Sequence, residues 1–137
     1  EVQMSATQLA TYVFILHQTY CTHHGGLVKA GQHYPLSDKD VQRLGNTYHA
    51  ICNQFRETPI AEARSYLEDV QNIRGYIARI RTTITHHIDE QDLNYYMPQD
   101  TSDKSRYYIA IESTKIFLHT ASGDMMFVDY PLWKILK

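Results

Sequence analysis

Four side chains in the predicted first and second helices have a spacing that suits a metal site. His17 and Cys21 lie four positions apart, and His49 and Cys52 lie three positions apart. Residues at these spacings share one face of a helix, so two such pairs on facing helices could supply the four ligands of a tetrahedral zinc site. The spacing belongs to no known zinc finger or ribbon, and eight histidines make chance pairs common. We therefore expect ordinary core-edge and surface side chains and no cofactor, with a zinc-stabilised regulatory domain as an alternative.

An arginine and a histidine farther along the chain have a spacing found in ribonucleases. Arg81 and His86 are separated by four residues, and this pattern resembles the R-x4–6-H motif of the HEPN family of helical ribonucleases. The resemblance implies a helical dimer that acts on RNA, with Arg81 stabilising the phosphate and His86 transferring protons. Arg43 and His49 fit the same pattern, so the motif is not specific. The catalytic residues stay unknown, and an enzyme is the less favoured interpretation.

An acidic and aromatic segment follows the predicted third helix. Asp89, Glu90 and Asp92 are followed closely by Tyr95 and Tyr96. Acidic clusters in loops can dock basic partners, and tyrosine is favoured at protein interfaces because it offers a large rigid surface with a polar tip. The chain contains 11 tyrosines, many of which must still belong to the core. We take these five residues as the candidate binding residues for another protein.

Length and composition predict one globular domain over residues 1–137. Hydrophobic residues make up 43% and charged residues 20% of the chain, a balance typical of folded proteins. The formal net charge of −2 argues against a nucleic-acid binder, which usually carries a basic excess. No apolar run approaches the ~18 residues of a membrane span.

Cys21 and Cys52 lie beside apolar residues, which favours buried reduced thiols in a cytoplasmic protein over a disulfide. The chain begins with Glu1 rather than Met, so a fragment of a longer protein is an open alternative.

Three helices are predicted between residues 5 and 88. Ser5 and Gln8 form a capping box for the first helix, which extends to Thr22, and Ser37 and Asp40 form one for the second. A capping hydroxyl followed by proline, Thr58-Pro59, starts the third helix. Apolar residues then recur at helical spacing, namely Ala63, Leu67, Val70, Ile73, Ile77, Ile80, Ile84 and Ile88.

The third helix is long for so small a domain. Residues 59–88 would span about 45 Å at 1.5 Å per residue. We expect such a helix either to break near Gly75 or to project and pair with a second copy of the chain. Its continuous apolar side is the reason to predict a possible homodimer.

The remaining segments are predicted as connections and strands. A connection with one helical turn at residues 27–30 joins the first two helices, and residues 89–105 form a polar loop. The β-branched and aromatic residues of the C-terminal segment predict strands at 107–111, 116–119 and 125–130, with a turn at 121–124 and a final helical turn at 132–136.

These features together predict an α+β fold, a three-helix bundle with a long third helix followed by a short C-terminal antiparallel β-hairpin or meander. Because no catalytic constellation is found, the leading functional hypothesis is a non-enzymatic protein-interaction or regulatory module of the adaptor, immunity or inhibitor type.

Overall fold

The computed structural model describes residues 4–23, 25–29, 35–55, 66–120 and 123–136, without the side chains of 66–71. Within these ranges the fold is mixed helix and strand, with short antiparallel sheets. The main helices are α1 (Ala6–Tyr20), α2 (Asp38–Phe55) and α3 (Tyr66–His87), and each packs against the other two. The predicted α+β character of the chain is confirmed.

The serine hydroxyl of each predicted capping box accepts the expected backbone hydrogen bond at the start of α1 and of α2. The Ser5 hydroxyl accepts a hydrogen bond from the Gln8 backbone N–H at 3.2 Å. The Ser37 hydroxyl accepts one from the Asp40 N–H at 3.2 Å and donates to the Asp40 carboxylate at 2.9 Å. Each cap satisfies an N–H that the start of a helix leaves without an intrahelical partner. α1 ends at Tyr20, slightly before the predicted end at Thr22.

The isoleucine side of α3 is covered by the same chain. Ile73, Ile77, Ile80 and Ile84 are each at most 3% exposed, and α1 and α2 both pack against α3. α3 also runs through Gly75 without a break. Over this stretch the apolar side is therefore not left open for a second copy.

The predicted start of the third helix at Thr58-Pro59 and its Ala63 lie outside the described residues. The same holds for the side chains of Leu67 and Val70.

The first sheet joins three short strands that are distant in sequence. Its strands are β1 (Leu27–Val28), β2 (Gln99–Asp100) and β3 (Arg106–Tyr108), all antiparallel, with β3 in the centre. Leu27 lies opposite Tyr107, and Gln99 lies opposite Tyr108.

The helical turn predicted at residues 27–30 is wrong where the structure describes it. Leu27 and Val28 form β1, because one edge of β3 takes up their backbone groups. Gly26 permits this approach: with φ at 146°, a Cβ there would lie 2.5 Å from the carbonyl oxygen of Tyr107. Only glycine accepts that contact and that backbone conformation without strain.

The polar loop predicted for residues 89–105 is also wrong in part. It contains a 3-10 turn at Glu90–Asp92, the short helix α4 (Leu93–Tyr96) and strand β2. These elements are fixed by contacts with α1, α3 and β3, which lie far away in sequence. Local composition therefore does not reveal them.

The C-terminal segment begins with a hairpin of β4 (Phe117–Thr120) and β5 (Gly123–Met126). The strand predicted for 125–130 is wrong beyond Met126, because Phe127–Asp129 form a 3-10 turn. The predicted final helical turn is confirmed as α5 (Leu132–Ile135). β3 ends at Tyr108, earlier than predicted, and residues 121–122 of the predicted turn lie outside the described residues.

Trp133 anchors α5 on the core. It is 4% exposed, and its indole N–H donates to the Phe127 carbonyl at 2.6 Å. Its ring lies 4.7 Å from the His17 ring and 5.1 Å from the Phe127 ring. α5 thereby closes over the C-terminal end of α1.

None of the helices in the described ranges combines the length and apolarity that crossing a bilayer requires.

Candidate functional site

The structure groups all five predicted binding residues on one short stretch, which we name the acidic–aromatic surface: Asp89, Glu90, Asp92, Tyr95 and Tyr96. They lie on or next to the 3-10 turn and α4. The three carboxylate side chains are exposed, Tyr96 is 36% exposed and Tyr95 is half-buried. A surface depression of about 430 Å³ is lined there by Asp89, Glu90 and Gln91. The arrangement offers negative charge next to an exposed aromatic ring.

A hydrogen bond from α1 positions this surface. The Tyr12 hydroxyl donates to the Tyr96 carbonyl at 2.7 Å. Burial, and then the nearby Tyr96 and Tyr20, raise the pKa of Tyr12 well above its ordinary value, so that the donor keeps its proton. Leu9 precedes Tyr12 by three positions, on the same face of α1, and is 41% exposed. Leu9 is therefore an exposed apolar side chain on the face of α1 that carries Tyr12.

Arg81 lies in a structural junction. Its Nε donates to the Pro98 carbonyl at 3.0 Å, and its guanidinium lies 3.8 Å from the Asp100 carboxylate and 5.7 Å from the centre of the Tyr107 ring. Lys29 contacts the same carboxylate at 2.6 Å. This hydrogen bond from Lys29 is the main reason that the pKa of Asp100 is lowered. Arg81 thus ties α3 to β2 and β3.

His86 does not share a face of α3 with Arg81. Five positions on a helix with 3.6 residues per turn correspond to a rotation of about 140°. His86 is exposed near the C-terminal end of α3, whereas Arg81 is half-buried against the sheet. Within one chain, the geometry does not bring together the arginine and histidine of the ribonuclease pattern.

The four predicted zinc ligands are not assembled as a metal site in the described part of the chain. There, no three His, Cys, Asp or Glu side chains are placed to hold one ion. His17 is 5% exposed and packs against Trp133, and His49 lies beside the Tyr48 ring at 6.3 Å. Neither Cys21, which is half-buried, nor Cys52, which is buried, forms a disulfide.

A groove that the sequence analysis missed lies at the C-terminal end of α1, between α2 and α5. It consists of two adjoining cavities of about 440 and 380 Å³, which share Cys21, Thr22, His23 and Trp133. We name it the α1–α5 groove. Gln18, Arg43 and Thr47 line the larger cavity, and Lys134 lines the smaller one. No local motif marks these residues, because three separate elements supply them.

The floor of the α1–α5 groove contains an uncharged histidine and an amide without a full set of hydrogen bonds. Burial lowers the pKa of His17 to about 4, so its ring is neutral at physiological pH. Its Nδ1 lies 3.2 Å from the amide nitrogen of Gln18. Gln18 is 1% exposed, and its amide oxygen has no hydrogen-bond partner within the described part of the chain. A buried acceptor in this state costs stability.

No known protein family, curated protein or solved structure matches this chain. The function is therefore inferred from the geometry of the chain itself.

Proposed function

We propose that this protein is a non-enzymatic protein-interaction or regulatory module, of the adaptor, immunity or inhibitor type, and that its acidic–aromatic surface binds a basic segment of another protein. One observation carries the proposal. The exposed carboxylates of Asp89, Glu90 and Asp92 lie a few positions before the exposed Tyr96, whose backbone carbonyl accepts a hydrogen bond from Tyr12 of α1.

The chemistry of this surface suits a partner with lysine or arginine next to an apolar side chain. The carboxylates can pair with the cations, and the shallow, open surface at Asp89, Glu90 and Gln91 leaves them accessible to a long side chain. Tyr96 and Leu9 offer the apolar contact area on which binding energy usually concentrates. Charge pairs at the rim of an interface mainly speed association, so we expect binding to weaken as the salt concentration rises.

The described geometry gives less support to the two enzymatic or metal-based alternatives. The HEPN-like ribonuclease would need Arg81 to leave its contacts with Pro98 and Asp100. The zinc-stabilised domain would need a group of ligands, and no three His, Cys, Asp or Glu side chains lie close enough together in the described ranges to hold one ion. Pairing of two copies through the third helix, a separate proposal, would have to use the outer side of α3, where Arg74 and Arg79 are exposed.

The test starts with isolation of the partner from host extract, followed by binding measurements with the purified pair. In the test variant, Asp89→Asn, Glu90→Gln and Asp92→Asn remove three negative charges. A matched control removes three exposed carboxylates elsewhere, through Glu112→Gln, Asp124→Asn and Asp129→Asn. We expect the test variant to lose at least tenfold in affinity, about 1.4 kcal/mol, and the control to bind like the parent chain.

Mapping the bound surface by NMR gives a second measurement that depends on no variant. Binding should shift backbone signals in residues 89–96 and at Leu9 of α1. A partner that binds both variants equally, or that shifts signals only on another face, would rule out the acidic–aromatic surface as the interface.

A further inference from the structure

The α1–α5 groove is partly open to solvent, and its size and its mixed polar and apolar lining suit a small molecule. Its larger cavity, about 440 Å³, falls within the range of small-molecule sites, roughly 300–1,000 Å³. The walls combine the rings of His17 and Trp133 with the apolar side chain of Leu136. A few polar groups among apolar walls are the usual composition of a ligand site.

Two hydrogen-bond acceptors belong to residues that line the larger cavity of the groove, Gln18 and Thr47. The buried amide oxygen of Gln18 is an acceptor without a donor in the described part of the chain. Thr47 is 6% exposed, and its hydroxyl donates a hydrogen bond to the Arg43 carbonyl at 3.0 Å. The hydroxyl can therefore only accept a hydrogen bond from a ligand. These two acceptors, one on α1 and one on α2, favour a ligand end that carries N–H groups.

The rim of the groove carries positive charge. Arg43 lines the larger cavity and Lys134 lines the smaller one, while no Asp or Glu belongs to the described lining. Arg43 has one nearby carboxylate, Asp40 at 3.8 Å, and both side chains are close to half exposed, so this pair is weak. The Arg43 guanidinium is therefore available for a phosphate or carboxylate, which its planar fork binds through two parallel hydrogen bonds.

We propose that the α1–α5 groove binds a nucleoside monophosphate, with the phosphate at Arg43 and the amino-bearing edge of the base at Gln18 and Thr47. The larger cavity has room for a base, a ribose and a phosphate, which is more than a free amino acid would occupy. This inference is independent of the acidic–aromatic surface, because the groove shares no residue with it.

The first experiment titrates the full chain with AMP, GMP and CMP. Trp133, the only tryptophan of the chain, lines both cavities, so its fluorescence reports binding. We expect saturable binding of one molecule per chain, with a Kd below about 1 mM for at least one nucleotide. Inorganic phosphate alone and adenosine alone should each bind at least tenfold more weakly, because each makes half of the contacts.

Two variants separate the two ends of the ligand. Arg43→Gln should weaken nucleotide binding at least tenfold, while Arg79→Gln, at an exposed arginine of α3 outside both cavities, should leave it unchanged. Gln18→Met should weaken the binding of AMP but not that of purine riboside monophosphate, which lacks the amino group. Equal affinity of the parent chain and Arg43→Gln would overturn the proposal.

NMR of the unmodified chain keeps the proposal testable if a variant does not fold. Added nucleotide should shift the signals of the Gln18 side-chain amide and the Trp133 indole N–H. Shifts confined to other regions, or no saturable binding by any of the three nucleotides, would overturn the proposal.

Discussion

The hydroxyl of Tyr12 and the backbone carbonyl of Tyr96 form a 2.7 Å hydrogen bond between residues 84 positions apart in the chain. This bond joins the middle of α1 to the end of α4, so the fold of the helical part decides where the acidic–aromatic surface lies. The raised pKa of Tyr12, caused mainly by burial, means that the bond persists at alkaline pH.

Replacing Tyr12 by phenylalanine should loosen α4 without disturbing α1. We expect the free energy of unfolding to fall by about 1 kcal/mol, the usual contribution of one hydrogen bond. Amide hydrogens of residues 93–97 should also exchange faster, because α4 loses its attachment to α1. Tyr108→Phe, at a half-buried tyrosine of β3, serves as the control. Unchanged exchange in residues 93–97 of Tyr12→Phe would show that other contacts hold α4.

Two glycines of the chain should respond in opposite directions to the same substitution. Gly26→Ala should lower the free energy of unfolding by more than about 2 kcal/mol, since a Cβ at φ 146° would lie 2.5 Å from the Tyr107 carbonyl oxygen. Gly75→Ala should raise it by about 0.5–1 kcal/mol, since Gly75 lies within α3 and a Cβ there has no heavy atom within 4 Å. Urea denaturation of both variants measures the difference. Equal effects would contradict the close approach of Gly26 to β3.

The helix starts of α1 and α2 were predictable from the sequence because their causes are local. The hydroxyls of Ser5 and Ser37 accept hydrogen bonds from the backbone N–H groups of Gln8 and Asp40, within one helical turn. The isoleucine spacing of α3 likewise predicted a side covered by protein. Spacing carries no information on which chain provides the cover, so the sequence left a second copy as an alternative.

The strand β1 and the α1–α5 groove were not predictable, because distant residues determine them. Leu27 and Val28 are extended only because β3, nearly 80 positions later, offers a free edge. In the sequence, Gln18 is an ordinary polar residue of α1. Only the structure shows that its amide oxygen is buried without a partner in the described residues, next to His17, which packs against Trp133. The acidic–aromatic surface was predictable in part. Composition identified its residues, but it gave no sign of the hydrogen bond that attaches the surface to Tyr12.

The solution mass of the protein tests whether the third helix pairs two copies. Because Ile73, Ile77, Ile80 and Ile84 are covered within one chain, we expect light scattering to give the mass of one chain, 16.0 kDa, even at high concentration. A dimer mass would contradict this expectation. If a dimer formed and the variant Arg74→Glu were monomeric, the contact between the two copies would lie on the outer side of α3.

The stability of the protein should fall between neutral and mildly acidic pH because of His17. Burial lowers the pKa of His17 to about 4 in the folded chain, whereas the unfolded chain has the ordinary value near 6.5. Below about pH 6.5 the unfolded state therefore binds a proton that the folded state does not, and this favours unfolding. The contribution of His17 is complete above that pH and is lost as the pH falls towards 4, by at most about 3 kcal/mol at 1.36 kcal/mol per pKa unit.

Comparison of variants isolates this contribution from the carboxylates that titrate in the same range. His17→Gln should show a smaller loss of unfolding free energy between about pH 7 and pH 4.5 than the parent chain, while His86→Gln, at an exposed histidine of α3, should show the parent loss. NMR titration of the His17 ring measures the cause directly. A ring that takes up its proton near pH 6.5 would mean that the imidazole is hydrated in the folded state, and α5 would then not close over the end of α1 as Trp133 indicates.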